Sequence, residues 1–265
     1  MNDCASVMPQ VPISFSDIHC HCLPGIDDGP SSYEESLALC QTLVEDGINV
    51  VIATPHQLGR YDDNTSERIR AAVGRLNEEL LKNGIVLTVE AGGDIRVDER
   101  MCRLLEEDKI LTLADGGRYV LIELPHDIFF DIKSLLKQFS SMGIVPIVSH
   151  PERHNYLAQH PEIIADWLGY SAQFQITAGS LLGYFGTLAQ RACLQFIKSG
   201  YISYIATDSH GTGSRKPCMT AAFERITIEF GIEIAETLCI ENPQRVIRGL
   251  EVISARDVVS LVCKR

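Results

Sequence analysis

Residues 144–153 read IVPIVSHPER, a nearly unbroken apolar run that ends in His150, Pro151, Glu152 and Arg153. A strand with one wet face alternates apolar and polar residues. A strand buried on both faces is apolar throughout, as in parallel sheets covered by helices. INVVIA (48–53) and YVLIEL (119–124) read the same way. Strand-like runs fall at 14–20, 48–54, 85–91, 118–124, 144–149, 172–177 and 202–207, with helix-like stretches between them. One such helix spans 33–46, where Ser31 precedes Glu34 at capping-box spacing and Gly47 offers a stop. Seven strand signals with intervening helices predict repeated βα units, hence an α/β barrel or a doubly wound sheet.

The chain has 265 residues, 45% apolar and 22% charged, which excludes disordered, collagen-like and fibrous classes. No stretch reads as a linker, so a single domain over 1–265, with its core at about 14–250, is expected. Lys and Arg number 23 against 35 Asp and Glu, a net charge of -12. That balance argues against nucleic acid or an anionic membrane as partner, and requires any anionic substrate to be attracted locally. The nine cysteines (4, 20, 22, 40, 102, 193, 218, 239 and 263) are odd in number and scattered, which suits reduced cytosolic thiols. The opening MNDCASVMPQVPISFS lacks the basic start and apolar run of a signal peptide, and no run approaches the ~18 residues of a membrane span. A cytoplasmic protein is expected.

Histidines and acids cluster at the C-terminal ends of the predicted strands. They are His19 and His21 (DIHCHC), His56 (ATPH), Asp94 (EAGGD), Glu123 (LIEL), His150 (IVSHPER), and Asp208 with His210 (IATDSH). In parallel α/β folds that edge is where ligands bind, and parallel strands bring such residues together across ~190 positions. Imidazole and carboxylate suit Mn, Fe, Zn and similar divalent ions. His19 and His21 leave one face of a strand, and Cys20 and Cys22 the other. Four adjacent residues cannot wrap a tetrahedron, so HCHC is no zinc knuckle and its cysteines are expected to pack in the core. Singly, each strand-end histidine reads as an ordinary hydrogen-bonded rim residue, and Ile26–Pro30 as a turn. Together they read as a metal site.

HCHCLPGIDDG, TPH, the strand-end Asp94, LIEL, VSHPER and ATDSH follow the order of the PHP (polymerase and histidinol phosphatase) superfamily. The H-x-H-x₃-G-x-DDG opening, the HPER block and ENPQRVI resemble one branch in particular, the bacterial metal-dependent protein-tyrosine phosphatases of the CpsB/YwqE type in capsule and exopolysaccharide loci. The similarity runs from about Asp17 to Ile247. It implies a distorted seven-stranded (β/α) TIM-like barrel with three divalent metal ions, manganese first, with iron, zinc, cobalt or magnesium as alternatives. Carried over, His19, His21, Asp94 and Asp208 would hold one ion. Glu123 and His150 would hold a second, bridged by Asp94, and Asp28, His56 and His210 the third. The branch commonly has Glu where this chain has Asp94, one methylene shorter.

Four carboxylates and three divalent ions leave +2, or +1 with a bridging hydroxide, enough to attract a phosphate dianion. Coordination lowers the pKa of water from 15.7 to about 7, so a metal-bridging hydroxide is the expected nucleophile. Arg153, and Arg215 five residues after His210, would grip the phosphate bidentately. Asp208, Arg153 and Arg215 are thus the expected catalytic group. No general acid is evident, which suits a phenolate leaving group of pKa ~10. The implied partner is a phosphotyrosine protein, the tail of a bacterial polysaccharide-assembly kinase. A small phosphomonoester such as histidinol phosphate, or a non-catalytic metal-binding module, are the alternatives. Tyr61, Phe129 and Phe130 are candidates to flank an aryl ring, and His126 to line the cleft.

Two motifs mislead. Cys239 to Arg245 fits C-x₅-R, but Pro243 lacks an N–H, no glycine is present, and Glu241 would repel the dianion. The segment reads instead as a helix start capped by Asn242. GTGSRK lacks the Walker frame.

Overall fold

The computed structural model describes residues 14–262, so Cys4, Cys263 and most of the opening stretch lie outside the described residues. Nine strands form among the described residues, all paired in parallel: β1 (Phe15–Cys20), β2 (Ile48–Ala53), β3 (His56–Gln57), β4 (Thr88–Ala91), β5 (Asp94–Arg96), β6 (Tyr119–Glu123), β7 (Val145–Ser149), β8 (Gln173–Thr177) and β9 (Tyr204–Ala206). They make one sheet ordered β1-β2-β4 and another ordered β3-β5-β6-β7-β8-β9. All seven expected strand runs contain a strand. The count differs because two short strands lie beyond the expected runs, β3 after Thr54-Pro55 and β5 after Gly92-Gly93. Pro55 has no N–H for the ladder. A Cβ on Gly92 would stand 2.6 Å from Ile52 Cγ2, and one on Gly93 2.3 Å from Gln57 Oε1, so only glycine lets these segments pass so closely.

The sheets adjoin at β1. Cys20 bridges Ser209 in parallel, Asp208 N donates to His19 O at 2.8 Å, and His21 N donates to Ser209 O at 2.9 Å. Beneath these strand ends, Ile18, Ile52, Leu121, Ile147 and Tyr204 pack in one cluster drawn from both sheets. Each fully buried large apolar side chain contributes about 1.5–3 kcal/mol relative to exposure. Helices cover the outer faces. The helix Tyr33–Glu45 buries Leu39, Cys40 and Leu43 among Cys20, Cys22 and Leu23.

Its cap sits one residue later than the sequence suggested. Ser32 Oγ accepts from Glu35 N, while the Glu35 carboxylate accepts from Ser31 N and Oγ at 2.7 and 2.8 Å. Gly47, at φ +84°, ends it as expected. The expectation at Asn242 is corrected too: helical backbone runs without a break from Thr237 to Ile247. Asn242 caps nothing there; its amide bonds Ile253 N, Ile253 O and Ser203 O, tying the C-terminal segment to β9. The seven described cysteines are free, and no helix among the described residues is long and apolar enough to cross a membrane.

Candidate metal centre

Because the strands run parallel, their C-terminal ends share one edge, and the nine expected ligands meet there. The β1 ladder aims both imidazoles into the basin, with His19 Nε2 and His21 Nε2 3.3 Å apart. His56 pairs Asp94 across β3 and β5, so its Nδ1 lies 3.3 Å from Asp94 Oδ2; its Nε2 lies 3.4 Å from Asp28 Oδ1. His210 Nε2 approaches the same Asp28 oxygen at 3.3 Å. Asp208 Oδ1 stands 3.2 Å from His19 Nε2 and 3.5 Å from His21 Nε2. His150 (φ +33°), directly after β7, and Asp208 (φ +52°), two residues after β9, are left-handed non-glycine residues, a strain of order 1–3 kcal/mol each. The turn it forces swings the His150 ring to 5.7 Å from that of His19.

Four overlapping groups have ligand atoms mutually within 4.8 Å. They are His21, Asp28, His56 and His210; His19, His21 and Asp94; His19, His150 and Asp208; and His56, Asp94 and Glu123. These groups overlap the partition carried over from the family without coinciding with it: His21 also falls with Asp28, His56 and His210, His56 also with Asp94 and Glu123, and two further placements have a clear cause. Glu123 falls with His56 and Asp94 rather than with His150, because β5–β6 register sets it beside Asp94's strand. His150 falls with His19 and Asp208, because of its left-handed turn. Nitrogen and carboxylate donors so arranged and mostly buried suit first-row divalent ions. Two buried atoms in the basin, Asp94 Oδ2 and His210 Nε2, make no hydrogen bond, as ligand atoms reserved for a cation would not.

The charges are strongly coupled. Burial works against the His56 cation, but the Asp28 and Asp94 carboxylates beside its ring, with the charge of Glu123, raise its pKa to about 11. Burial, helped by the His210 charge, lowers His21 to about 4. Burial and Arg153 hold His150 well below the ordinary range. Burial and the Asp94 charge push Glu123 up. Asp208 stays well below the usual carboxylate range despite its burial, held by His19, Arg215 and Arg153. Like charges crowded this way call for cations.

Supporting contacts come from residues the sequence did not single out. Asp27 Oδ2 takes His21 Nδ1 at 2.6 Å and also accepts His56 N at 3.0 Å. Gln175 Oε1 lies 2.9 Å from His19 Nδ1. Such contacts fix a ring's tautomer and orientation toward a metal. Asp17, burial-raised to about 6, anchors β1 to Thr207. Position alone could have flagged Asp27, which sits beside Asp28, whereas nothing local marks Gln175.

A cavity of about 470 Å³ opens over the basin, lined among others by His56, Tyr61, Arg96, Glu123, His126, Arg153, Asp208 and Arg215. Arg153 Nη1 and Arg215 Nη2 both donate to Asp208 Oδ2, at 2.5 and 2.6 Å. Arg215 is therefore part of the site rather than a loose loop charge. Arg96, unmarked in the sequence, donates to Glu123 Oε2 at 3.2 Å. His126 stacks on His150 at 5.5 Å and Tyr61 on His56 at 5.3 Å. Phe129 instead stacks on Tyr156 and Trp167, and Phe130 borders a separate cleft, so neither lines this cavity. His154 is a structural residue whose Nδ1 accepts from Tyr156 N and Leu157 N. Cys239 is fully buried and its thiol is pushed up by burial, the opposite of a reactive thiolate.

Known proteins align with this arrangement. The tyrosine-protein phosphatase YwqE of Bacillus subtilis is 32% identical over 241 residues, 88% of this chain and 91% of that protein. The tyrosine-protein phosphatase CpsB of Streptococcus pneumoniae is 27% identical, over 87% and 97%. A crystal structure from work on these two, described there as unique metal-dependent tyrosine phosphatases, superposes with a TM-score of 0.87 at 31% identity, covering 90% of this chain and 96% of the other. The phosphotriesterase homology protein of Escherichia coli shares the fold at 12% identity, with a TM-score of 0.58. The CpsB/CapC family model, described as capsular polysaccharide synthesis, matches residues 15–248. With that extent of match, and relatives so similar over almost their whole length, the chain belongs to the CpsB/CapC family.

Proposed function

We propose that this chain is a metal-dependent phosphotyrosine-protein phosphatase, acting on the tyrosine-phosphorylated tail of a bacterial polysaccharide-assembly kinase. One observation carries the reading: nine ligand-type side chains converge on one cavity in which Arg153 and Arg215 share the Asp208 carboxylate. Its relatives YwqE and CpsB, both named tyrosine-protein phosphatases, support it.

The proposed ligands are His19, His21, Asp28, His56, Asp94, Glu123, His150, Asp208 and His210, holding three divalent ions with manganese the first candidate. Asp94 belongs to two ligand groups, which supports a bridging role for its short carboxylate. Bound there, divalent ions would supply Lewis-acid charge and a water acidic enough to serve as nucleophile near neutral pH. Asp208 orients the two guanidinium groups, and these would turn onto the phosphate oxygens and hold the ester in place. Tyr61 and His126 line the cavity with ring faces stacked on His56 and His150, which suits a flat aryl group beside them. No side chain need protonate the leaving group, because a phenolate departs readily.

The barrel belongs to the same proposal. β2–β3 and β4–β5 are each interrupted by two residues, and the Cys20–Ser209 bridge joins β1 to the segment after β9. Read as continuous, they give one distorted seven-stranded (β/α) barrel in a single domain.

The test is hydrolysis of a phosphotyrosine peptide by the manganese-loaded protein, with and without chelator, beside histidinol phosphate. Chelator-sensitive hydrolysis with higher kcat/KM for the peptide is expected. Undiminished activity after metal removal, or preference for the small ester, would overturn the reading.

A further inference from the structure

Two more arginines, Arg60 and Arg96, line the cavity. Leu58 and Gly59 have left-handed φ values of +69° and +63°, and Tyr61 N returns to Leu58 O at 3.1 Å. This tight reversal presents Arg60 and Tyr61 at the rim, close beside the stem of Arg96. The guanidinium of Arg96 is committed to Glu123. That of Arg60 has no carboxylate within ion-pairing distance among the described residues. It donates to Tyr61 Oη at 2.8 Å and lies 4.8 Å from the Tyr61 ring centre, and Tyr61 in turn stacks on His56.

Most exposed arginines are merely solvated. This one is held in place by a cation–π contact on a ring that is itself packed on a candidate metal ligand. Its charge stays unanswered at the mouth of a phosphate-sized site in a chain of net charge -12. Arg60 is itself one of the cavity's lining residues, so its fork is open to a ligand seated over the basin. A planar fork so placed pairs best with a carboxylate or a phosphate.

We propose that Arg60 selects the sequence around the phosphotyrosine, favouring peptides with a second anionic group within a few residues of it. The proposal rests on the phosphatase reading above. The anion is an acidic side chain or a neighbouring phosphotyrosine, two sources of the same chemistry. Exposed ion pairs are modest, so the preference is roughly 2- to 5-fold in kcat/KM and shrinks as salt rises.

The test uses the manganese-loaded full chain and four phosphotyrosine peptides that differ only in their flanks: neutral, Asp- and Glu-bearing, doubly phosphorylated, and Lys-bearing. The expected order has either anionic peptide above neutral and neutral above Lys. Arg60→Glu should invert it and Arg60→Lys preserve its direction. Which anionic peptide gains identifies the source. The readout is a ratio within each variant, so loss of total activity does not mimic it. Equal hydrolysis of all four by the wild type, or an unchanged order in Arg60→Glu, would overturn this inference alone. No hydrolysis of any peptide would overturn the phosphatase reading and this inference together.

Discussion

Arg153 Nη1 donates to Asp208 Oδ2 at 2.5 Å, while the same guanidinium lies 4.4 Å from the Phe185 ring centre. One partner sets where the fork points and the other supports its flat face. Loss of a charge-assisted hydrogen bond to phosphate costs about 1.5–3 kcal/mol. Arg153→Ala should therefore lower kcat/KM on phosphotyrosine peptide roughly 10- to 100-fold in steady-state assays, with the ion content unchanged by elemental analysis.

Phe185 is partly exposed, where a cation–π contact is worth about 0.5–1 kcal/mol. Phe185→Leu keeps the apolar bulk and removes the ring face, so kcat/KM should fall roughly 2- to 5-fold and recover in Phe185→Tyr. In an Arg153→Ala background the same change should have no further effect. Full additivity in that double-mutant cycle would refute the coupling.

Asp27 holds the His21 ring from behind and also accepts His56 N. Removing such an outer contact commonly costs 10- to 100-fold in metal affinity. Asp27→Ala should weaken manganese binding by about that factor in a chelator competition, with the far-UV spectrum of the wild type.

His56 gives a pH signature to the metal-free protein. Its folded pKa of about 11 lies above the ordinary 6.5. The stability it contributes is therefore complete below about pH 6.5 and is lost as pH rises toward 11. The Tm of chelator-treated protein should fall across this window, and less steeply in His56→Ala. Ions need the neutral imidazole, so loaded protein should show a flatter profile. Parallel Tm curves for wild type and variant would refute this.

Cys239→Ser should leave hydrolysis within about 2-fold of wild type, since the thiol is buried beneath helical backbone away from the cavity. A folded but inactive Cys239→Ser variant would revive the thiolate mechanism.

Long apolar runs such as Tyr119–Glu123 announced their strands because burial on both faces leaves no other pattern. β3 and β5 stayed hidden: at two and three residues, with His56, Gln57, Asp94 and Arg96 in them, they carry no apolar periodicity. The side chains that meet in the basin were legible by type and strand-end position. Their grouping was not, because it depends on cross-strand register and on the left-handed turn at His150. Arg96 could have been suspected, two residues after Asp94 and so on the same strand face. Arg60 could not, since its placement comes from a reversal at Leu58-Gly59. The Ser32 cap, and Asn242, which caps no helix, show a local limit: several polar residues near a helix end compete, and tertiary partners such as Ile253 decide.

The junction between β1 and the segment after β9 has a kinetic consequence. His19 and Asp208 are brought together only when nearly the whole chain has folded, so a nascent or truncated chain lacks the complete basin. Cations that bind the finished state alone stabilise it in proportion to the logarithm of their concentration over Kd. Ion loading should thus slow unfolding far more than it hastens refolding, and a protease should cut starved protein faster than replete protein. The supply of divalent ions would then govern how long each molecule survives as well as how fast it turns over.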